Sequence, residues 1–370
     1  MEYSLLAVMP GLLIWIVILL LPWRPWSTRE SLDSQSEQGL DLSDVTVLIP
    51  ARNEALTIAD TLSALKEQGD GLNVVMVDDQ STDNTAELAN SVNLNHLLIV
   101  SGTELPEAWS GKLWALEQGR QHIETRYIIL LDADIVLKPG LIPTLIKIAQ
   151  VNDIKMLSLM AHLKMESKWE KLLMPAFIFF FKLLYPFHLS NKPGSKIAAA
   201  AGGCILLESA VLNDLGGFNC IKDALIDDCS LAKQVKQKGH KIWIGLTHSA
   251  ISIRSYDTLS TIWQMVARTA YTQLAYSPLL LLVCTILMVA AFGLPIAALL
   301  QTQSIIFIAG LVTLCLQVIC YLPTIRYYSM NPVYALSLPL IGVLYLVMTW
   351  SSAYRYYFGK GAKWKGRHYN

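Results

Sequence analysis

The chain has 370 residues, is 53% hydrophobic and 16% charged, and balances 29 basic against 29 acidic side chains. Zero net charge gives no reason to expect nucleic acid as a partner, and the low charged fraction places part of the chain in lipid. Six cysteines (Cys204, Cys220, Cys229, Cys284, Cys315 and Cys320) form no C-x-x-C pair, which weakens zinc and disulfide readings and favours a reducing compartment.

The first predicted element is an apolar helix from Leu5 to Leu21, close to the roughly 20 residues that cross a bilayer. No Lys or Arg precedes it, while Arg24 and Arg29 follow it. A cleaved secretory signal would need a basic start and a small-residue cleavage site, so the helix reads as an anchor with residue 24 onward in the cytoplasm. A polar linker covers 24–44.

Strands and helices then alternate. "VTVLIP" is a strand, and "NEALTIADTLSALKEQG" is a helix with Asn53 as N-cap and Gly69 as stop. "NVVMV" is a strand, and "STDNTAELAN" is a helix capped by Ser81 or Asp83. "HLLIV", a helix over 112–121 and the strand "YIILL" follow. This alternation predicts an α/β domain over 45–275 with a parallel sheet covered on both faces. Such sheets bind ligands at the carboxyl ends of their strands. There the chain places Asn53 and Glu54, Asp78 and Asp79, and Asp132 and Asp134.

Three more apolar stretches of spanning length follow, Pro278–Leu300, Ile305–Pro323 and Val333–Ala353, forming a C-terminal bundle over 276–354. A basic tail covers 355–370. Three spans would carry that tail outside, against the positive-inside rule. Two or three spans are therefore expected, with Ile305–Pro323 or the proline-bearing Val333–Ala353 re-entrant or interfacial. "LLMPAFIFFFKLLYPFHL", within 172–188, is too short to span comfortably and reads as an interfacial helix, or else as a buried core helix. The expected location is a membrane, multi-pass, with the α/β domain cytoplasmic.

The strand-end acids suggest chemistry. In an extended segment Asp132 and Asp134 would face the same side, and a hard divalent cation, Mg2+ or Mn2+, would relieve their repulsion. Such an ion also binds phosphate oxygens, which implies a nucleoside diphosphate. The chain contains neither G-x-x-x-x-G-K-[ST] nor G-x-G-x-x-G, so a P-loop ATPase and a dinucleotide oxidoreductase are disfavoured.

"VTVLIPARNEALTI", "VVMVDDQSTDNT" and "LLDADIVLKPG" together resemble the family 2 glycosyltransferases, which have a GT-A nucleotide-diphospho-sugar transferase fold with a Rossmann-like mixed sheet. "PEAWSGKLWAL", "AAAAGGCILL", "ALIDDCSLA" and "IWQMVARTAYTQLAYSPLLL" are similar to the hopanoid-associated glycosyltransferases of the HpnB type, with ceramide glucosyltransferases more distant. The resemblance implies that Pro50, Asn53 and Glu54 line the nucleotide pocket. It implies that Asp78 and Asp79 meet base and ribose of a uridine nucleotide and that Lys112 reaches the nucleotide-sugar. Asp132 and Asp134 match the family's D-x-D, with Asp134 the firmer metal ligand and Asp132 nearer the ribose.

In the second half, Gly202 and Gly203 would let a substrate approach the backbone, or else mark a crowded packing site. Asp227 and Asp228 start a predicted helix, where carboxylates also act as ordinary caps. Relatives have Glu-Asp there, with the Asp as general base, so the resemblance makes Asp228 the base and Asp227 its support. Relatives also have Q-x-x-R-W; here Gln264 and Arg268 are four apart with no Trp after the Arg. That departure argues against a polysaccharide synthase, and Arg268 also suits a plain membrane-surface cation.

The resulting expectation is a membrane-anchored, inverting, metal-dependent hexosyltransferase. It would move sugar from a UDP-sugar to a membrane lipid hydroxyl, on a hopanoid or related isoprenoid. A sphingolipid, carotenoid or polyprenyl phosphate acceptor is the alternative within the enzyme class. An inactive membrane scaffold is the alternative outside it.

Overall fold

The computed structural model describes residues 2–35, 41–359, 362–364 and 367–369. Helix α1 (Glu2–Leu20) leads to an eight-stranded mixed sheet in the order β3-β2-β1-β4-β7-β6-β8-β5. Its first half is β1 (Val45–Ala51), β2 (Asn73–Asp78), β3 (Leu97–Ser101) and β4 (Tyr127–Leu131), all parallel. The parallel run expected from the strand–helix alternation ends at β4, and beyond it the sheet is mixed, as the resemblance implied. There β7 (Cys204–Glu208) runs antiparallel to both β4 and β6 (Met156–His162), and β5 (Ile135–Leu137) antiparallel to β8 (Ile242–Ser252). Between β4 and β7 the chain inserts β5, β6 and a long helix, so no single βαβ crossover fixes the direction of β7.

Alternate residues of β1 serve opposite faces, as the pleat requires. Val47 and Ile49 pack with Ile58, Leu62 and Leu65 of α2 (Ile58–Leu65), with Ala89 of α3 (Thr85–Ser91), and with Leu141 and Leu145 of α5 (Leu141–Asn152). Leu48 packs on the other face with Leu113 and Leu116 of α4 (Gly111–Arg120). The same face holds α8 (Ser209–Asp214) and α9 (Asp227–Gln237) through Leu212, Leu231 and Val235. β1 leads to β2 and β3 on one side while β4 lies on its other side. The β1–β4 junction is thus a topological switch point, where such sheets open a crevice at their carboxyl ends.

Helix α6 (Lys168–Leu184) is followed by the short α7 (Phe187–Asn191); α10 (Leu259–Thr269) precedes the apolar C-terminal part. Among the described residues, three helices are long and apolar enough to cross a membrane, and Val8–Leu20 is a shorter apolar helix. The first, Pro278–Ala298, joins α11 (Pro278–Met288) to α12 (Leu294–Ala298) through a π turn at Val289–Gly293. The others are α13 (Ser304–Tyr327) and Pro332–Phe358, which includes α14 (Leu338–Phe358).

The helix expected at 172–188, interfacial or else buried in the core, joins the sheet to the apolar helices. Within α6, Leu173, Met174, Ala176, Ile178 and Phe179 are buried, while Trp169 and Leu184 are exposed. Phe179 lies 6.4 Å from Trp15 and 5.2 Å from Tyr321, and the Tyr345 hydroxyl donates to the Leu173 carbonyl at 2.9 Å. Burial of Lys182 pushes its pKa down to about 8, while its ammonium donates to the Ser27 carbonyl and ties the linker to α6.

The C-terminal end of α14 returns to α10: Trp263 Nε1 donates to Ser351 Oγ, and the Tyr271 amide to Ser352 Oγ, each at 3.0 Å. Strand β9 (Ala362–Trp364), paired with β10 (Arg367–Tyr369), also touches α10. The end of α13 also meets the sheet domain, the Tyr327 carbonyl lying 3.0 Å from His248 Nε2 of β8, so both stretches suspected of not crossing have an end beside it.

Candidate functional site

The ends of β1 and β4, the starts of α4 and α9, and the segment after β8 converge on a cleft of about 640 Å³. Its wall includes Pro50, Glu54, Lys112, Asp132, Asp134, Gly202, Gly203, Asp227, Asp228, Gln264 and Arg268. Eleven of the predicted site residues thus share one space, though separated by up to 218 positions in the chain (Pro50 to Arg268).

The two acids after β4 do not act as an extended pair. The Ile135 amide donates to the Asp132 carbonyl at 3.1 Å, closing a turn that sends the two side chains to different cations. Asp132 Oδ1 is 2.9 Å from Lys112 Nζ, and the same ammonium is 3.2 Å from Asp227 Oδ2. Asp134 Oδ2 instead accepts from Arg254 Nε at 2.9 Å and from Ser252 Oγ at 3.2 Å. Nη2 of Arg254 donates to both oxygens of Glu54, at 2.7 and 3.0 Å. Glu54 therefore holds Arg254 as well as lining the cleft.

Ser110 caps α4, its hydroxyl accepting from the Leu113 amide at 3.4 Å, and so fixes Lys112 in the first turn. Burial works against the Lys112 charge, but Asp132, Asp227 and Asp228 outweigh it and hold its pKa above the usual lysine range. The Asp228 carboxyl is pushed up to about 7, chiefly by burial and then by Asp227, with Lys112 opposing. Its Oδ1 accepts from the Cys229 amide at 2.7 Å. A Cβ on Gly202 would stand 3.2 Å from Lys112 Nζ and 3.4 Å from Asp228 Oδ2, so glycine keeps the space between cation and carboxylate open. Gly203 is different. A Cβ there would meet Ile135 at 3.2 Å and Ala161 at 3.4 Å, which is the crowded packing site.

Three predicted residues lie outside this wall. Asn53 does not cap α2, which starts at Ile58; its backbone is left-handed and its Oδ1 accepts from the Thr82 amide at 2.8 Å. Asp78 Oδ1 accepts from the Ser81 amide at 3.2 Å, and Asp79 is fully buried with Arg52 Nη1 3.9 Å away. These three order the β1 and β2 loops beside the cleft.

Residues 46–216 match the Glycosyl transferase family 2 family. Those residues carry a family 2 glycosyltransferase domain. Over 112 residues it is 35% identical to a 4,4'-diaponeurosporenoate glycosyltransferase from Staphylococcus aureus (strain USA300), a match covering 30% of this chain. It spans only 29% of that relative's length. A solved mannosyltransferase from Pyrobaculum calidifontis, in complex with GDP-Man and Mn2+, superposes over 97% of this chain and 99% of its own. The TM-score is 0.60 at 18% identity, which shows that the GT-A fold and its added helices are shared.

A divalent cation fits the cleft by charge. Five carboxylates (Glu54, Asp132, Asp134, Asp227 and Asp228) face three cations (Lys112, Arg254 and Arg268) on its wall. Burial, with Asp134 and Asp227 nearby, also raises the Asp132 pKa against the pull of Lys112. No group of three His, Cys, Asp or Glu converges as a complete metal shell among the described residues. The protein offers a partial shell, of the kind that phosphate oxygens and waters complete.

Sequence reasoning missed Arg254, Ser252 and Glu170. Arg254 follows the last strand in "SIRSYD", and an Arg at a strand's carboxyl end among so many acids was an available signal. Glu170 is fully buried; it accepts from the Ser167 amide at 2.8 Å and the Tyr256 amide at 2.7 Å, pinning the loop that carries Arg254 to the start of α6. Read alone, Glu170 is only the third residue of a capping box.

Proposed function

We propose that the protein is a membrane-anchored inverting glycosyltransferase that moves sugar from a UDP-sugar to the hydroxyl of a membrane lipid, a hopanoid or related isoprenoid. One observation carries this reading. The charged wall of the cleft faces an apolar wall of Phe177 and Phe181 from α6 and Met265 from α10, the two helices that join the sheet to the apolar bundle. An acceptor with a polar end and a greasy body matches such a space.

In this mechanism Asp228 takes the acceptor proton. A carboxyl raised to about 7 is half ionised near neutral pH, where a general base works best. Lys112 and Arg254 face the departing diphosphate, where negative charge develops. Asp132 and Asp134 would hold Mg2+ or Mn2+, which when bound supplies further charge to that leaving group. Asp227 positions Lys112 through its 3.2 Å contact. Displacement is direct, with no enzyme nucleophile.

The similarity to an S. aureus diaponeurosporenoate glycosyltransferase supports an isoprenoid acceptor, and the HpnB-like motifs favour a hopanoid. The test is incubation of purified protein with a bacterial lipid extract, Mg2+ or Mn2+ and either UDP- or GDP-sugars, followed by lipid mass spectrometry. A new hexosyl isoprenoid from UDP-sugar alone is expected, lost with EDTA. Transfer only from GDP-sugars would overturn the donor, and EDTA-resistant transfer would overturn the metal role. A glycosylated sphingolipid, or no product from any donor, would sink the acceptor assignment or leave the scaffold reading in its place.

A further inference from the structure

A second cavity of about 850 Å³ lies between the sheet domain and the end of α13. Its wall comes from the segment after β6 (His162, Lys164), from Lys171 of α6, from the end of β8 and from the turn after α13 (Tyr328, Tyr334). Two features describe what it suits. The interior is basic, with Lys164 and Lys171 on the wall, and the one carboxylate there, Glu166, is largely exposed and 3.1 Å from Lys164. At the back, the Tyr328 hydroxyl and His162 Nδ1 are buried without a hydrogen-bond partner among the described residues. Met165 and Met330 add apolar lining, and on the turn that carries the lining residue Tyr334 into α14, Val333 and Leu336 are 65% and 67% exposed.

Two ammonium groups suit a phosphate diester. A free anion has no use for exposed Val333 and Leu336, whereas acyl chains do. The cavity also sits where an apolar helix of spanning length ends, the level at which headgroups lie. We propose that this second cavity binds the phosphate of an anionic phospholipid, with its chains along Val333 and Leu336. Ser252 separates the two cavities: it lines both, and its hydroxyl donates to Asp134 Oδ2 at 3.2 Å. The lipid would thus lie one side chain from the acidic turn. The binding itself does not depend on the proposed transferase activity.

The test uses the full chain in nanodiscs of phosphatidylcholine doped with phosphatidylglycerol, with retained lipid measured by mass spectrometry after detergent extraction. Enrichment of phosphatidylglycerol is expected in the wild type. It should fall about thirtyfold in Lys164→Ala/Lys171→Ala, the scale expected for losing two cationic contacts to an anionic headgroup. It should return in Lys164→Arg/Lys171→Arg. Arg326→Ala removes an exposed cation from the last turn of the same helix, outside the cavity, and should leave enrichment intact. Equal enrichment in wild type and the double alanine variant would overturn the site, as would an equal fall in Arg326→Ala, which marks unspecific attraction. Displacement of phosphatidylglycerol by millimolar inorganic phosphate, with calorimetric binding of phosphate alone, would assign the site to a free anion and reject the lipid.

Discussion

The two walls of the main cleft are built on different principles. The charged wall is a set of short local motifs, each at the end of a strand or the start of a helix, whose backbone already aims its side chains at the sheet's carboxyl edge. The apolar wall is made of residues that look like core. Phe177 and Phe181 are half-buried neighbours of fully buried Ile178 and Phe179 on one helix, and nothing local separates the two roles. A charged group thus has its position enforced by a partner at a definite distance, while an apolar group is placed only by what else fills the space.

That contrast can be broken by mutation. The largest effect is expected for Asp228→Asn. Transfer should fall by about 10²–10⁴-fold, the usual contribution of a general base, while nucleotide binding persists. Retained turnover with unchanged binding would remove Asp228 from the charged wall's chemistry.

On the other wall, Phe177→Ala/Phe181→Ala should raise KM for the lipid acceptor by about tenfold or more, the range for altering an apolar pocket. Hydrolysis of the donor by water should not change. A matching loss of donor hydrolysis would mean that the two walls are not separable.

Arg254→Met keeps the stem but leaves Asp134 and Glu54 without their shared cation. Stability should drop by about 1–3 kcal/mol, as expected when buried charged hydrogen bonds lose a partner, and would be read as a lower Tm in detergent. An unchanged Tm would show that water or another group covers those acids.

The smallest change is a shift in pH dependence. Asp228 must be ionised to act, so activity rises as pH climbs through its folded value of about 7. Asp227→Asn removes the carboxylate that helps raise that value and releases Lys112 from one partner, and both changes favour ionised Asp228. The acidic limb of the rate profile should therefore move to lower pH. Movement to higher pH would reverse the assigned electrostatics. For stability the sign is opposite: a carboxyl raised above its unfolded value of 3.8 favours the folded state at low pH, and that contribution is lost as pH rises towards 7.

Much of this was legible in the chain. "VTVLIP", "NVVMV" and "YIILL" are β-branched or apolar runs closed by polar punctuation, and they became β1, β2 and β4 with the acids at their ends. The start of α9 at Asp227 follows from local pattern, whereas the resemblance set Lys112 at the nucleotide-sugar and said nothing of its pairing with Asp132 and Asp227. Asp132 and Asp134 were found but their geometry was misread, because an i, i+2 rule holds only while the strand continues, and here a turn begins at Asp132. Sequence by itself determined the strands, the apolar helices and the acids, since each depends on neighbours within a few positions. Only the tertiary structure decided which cation each acid faces, that Glu54 and Asp134 share Arg254, and that α6 joins the sheet to the apolar helices. Those outcomes depend on side chains up to 200 residues apart, from Glu54 to Arg254, brought together by the order of strands in the sheet.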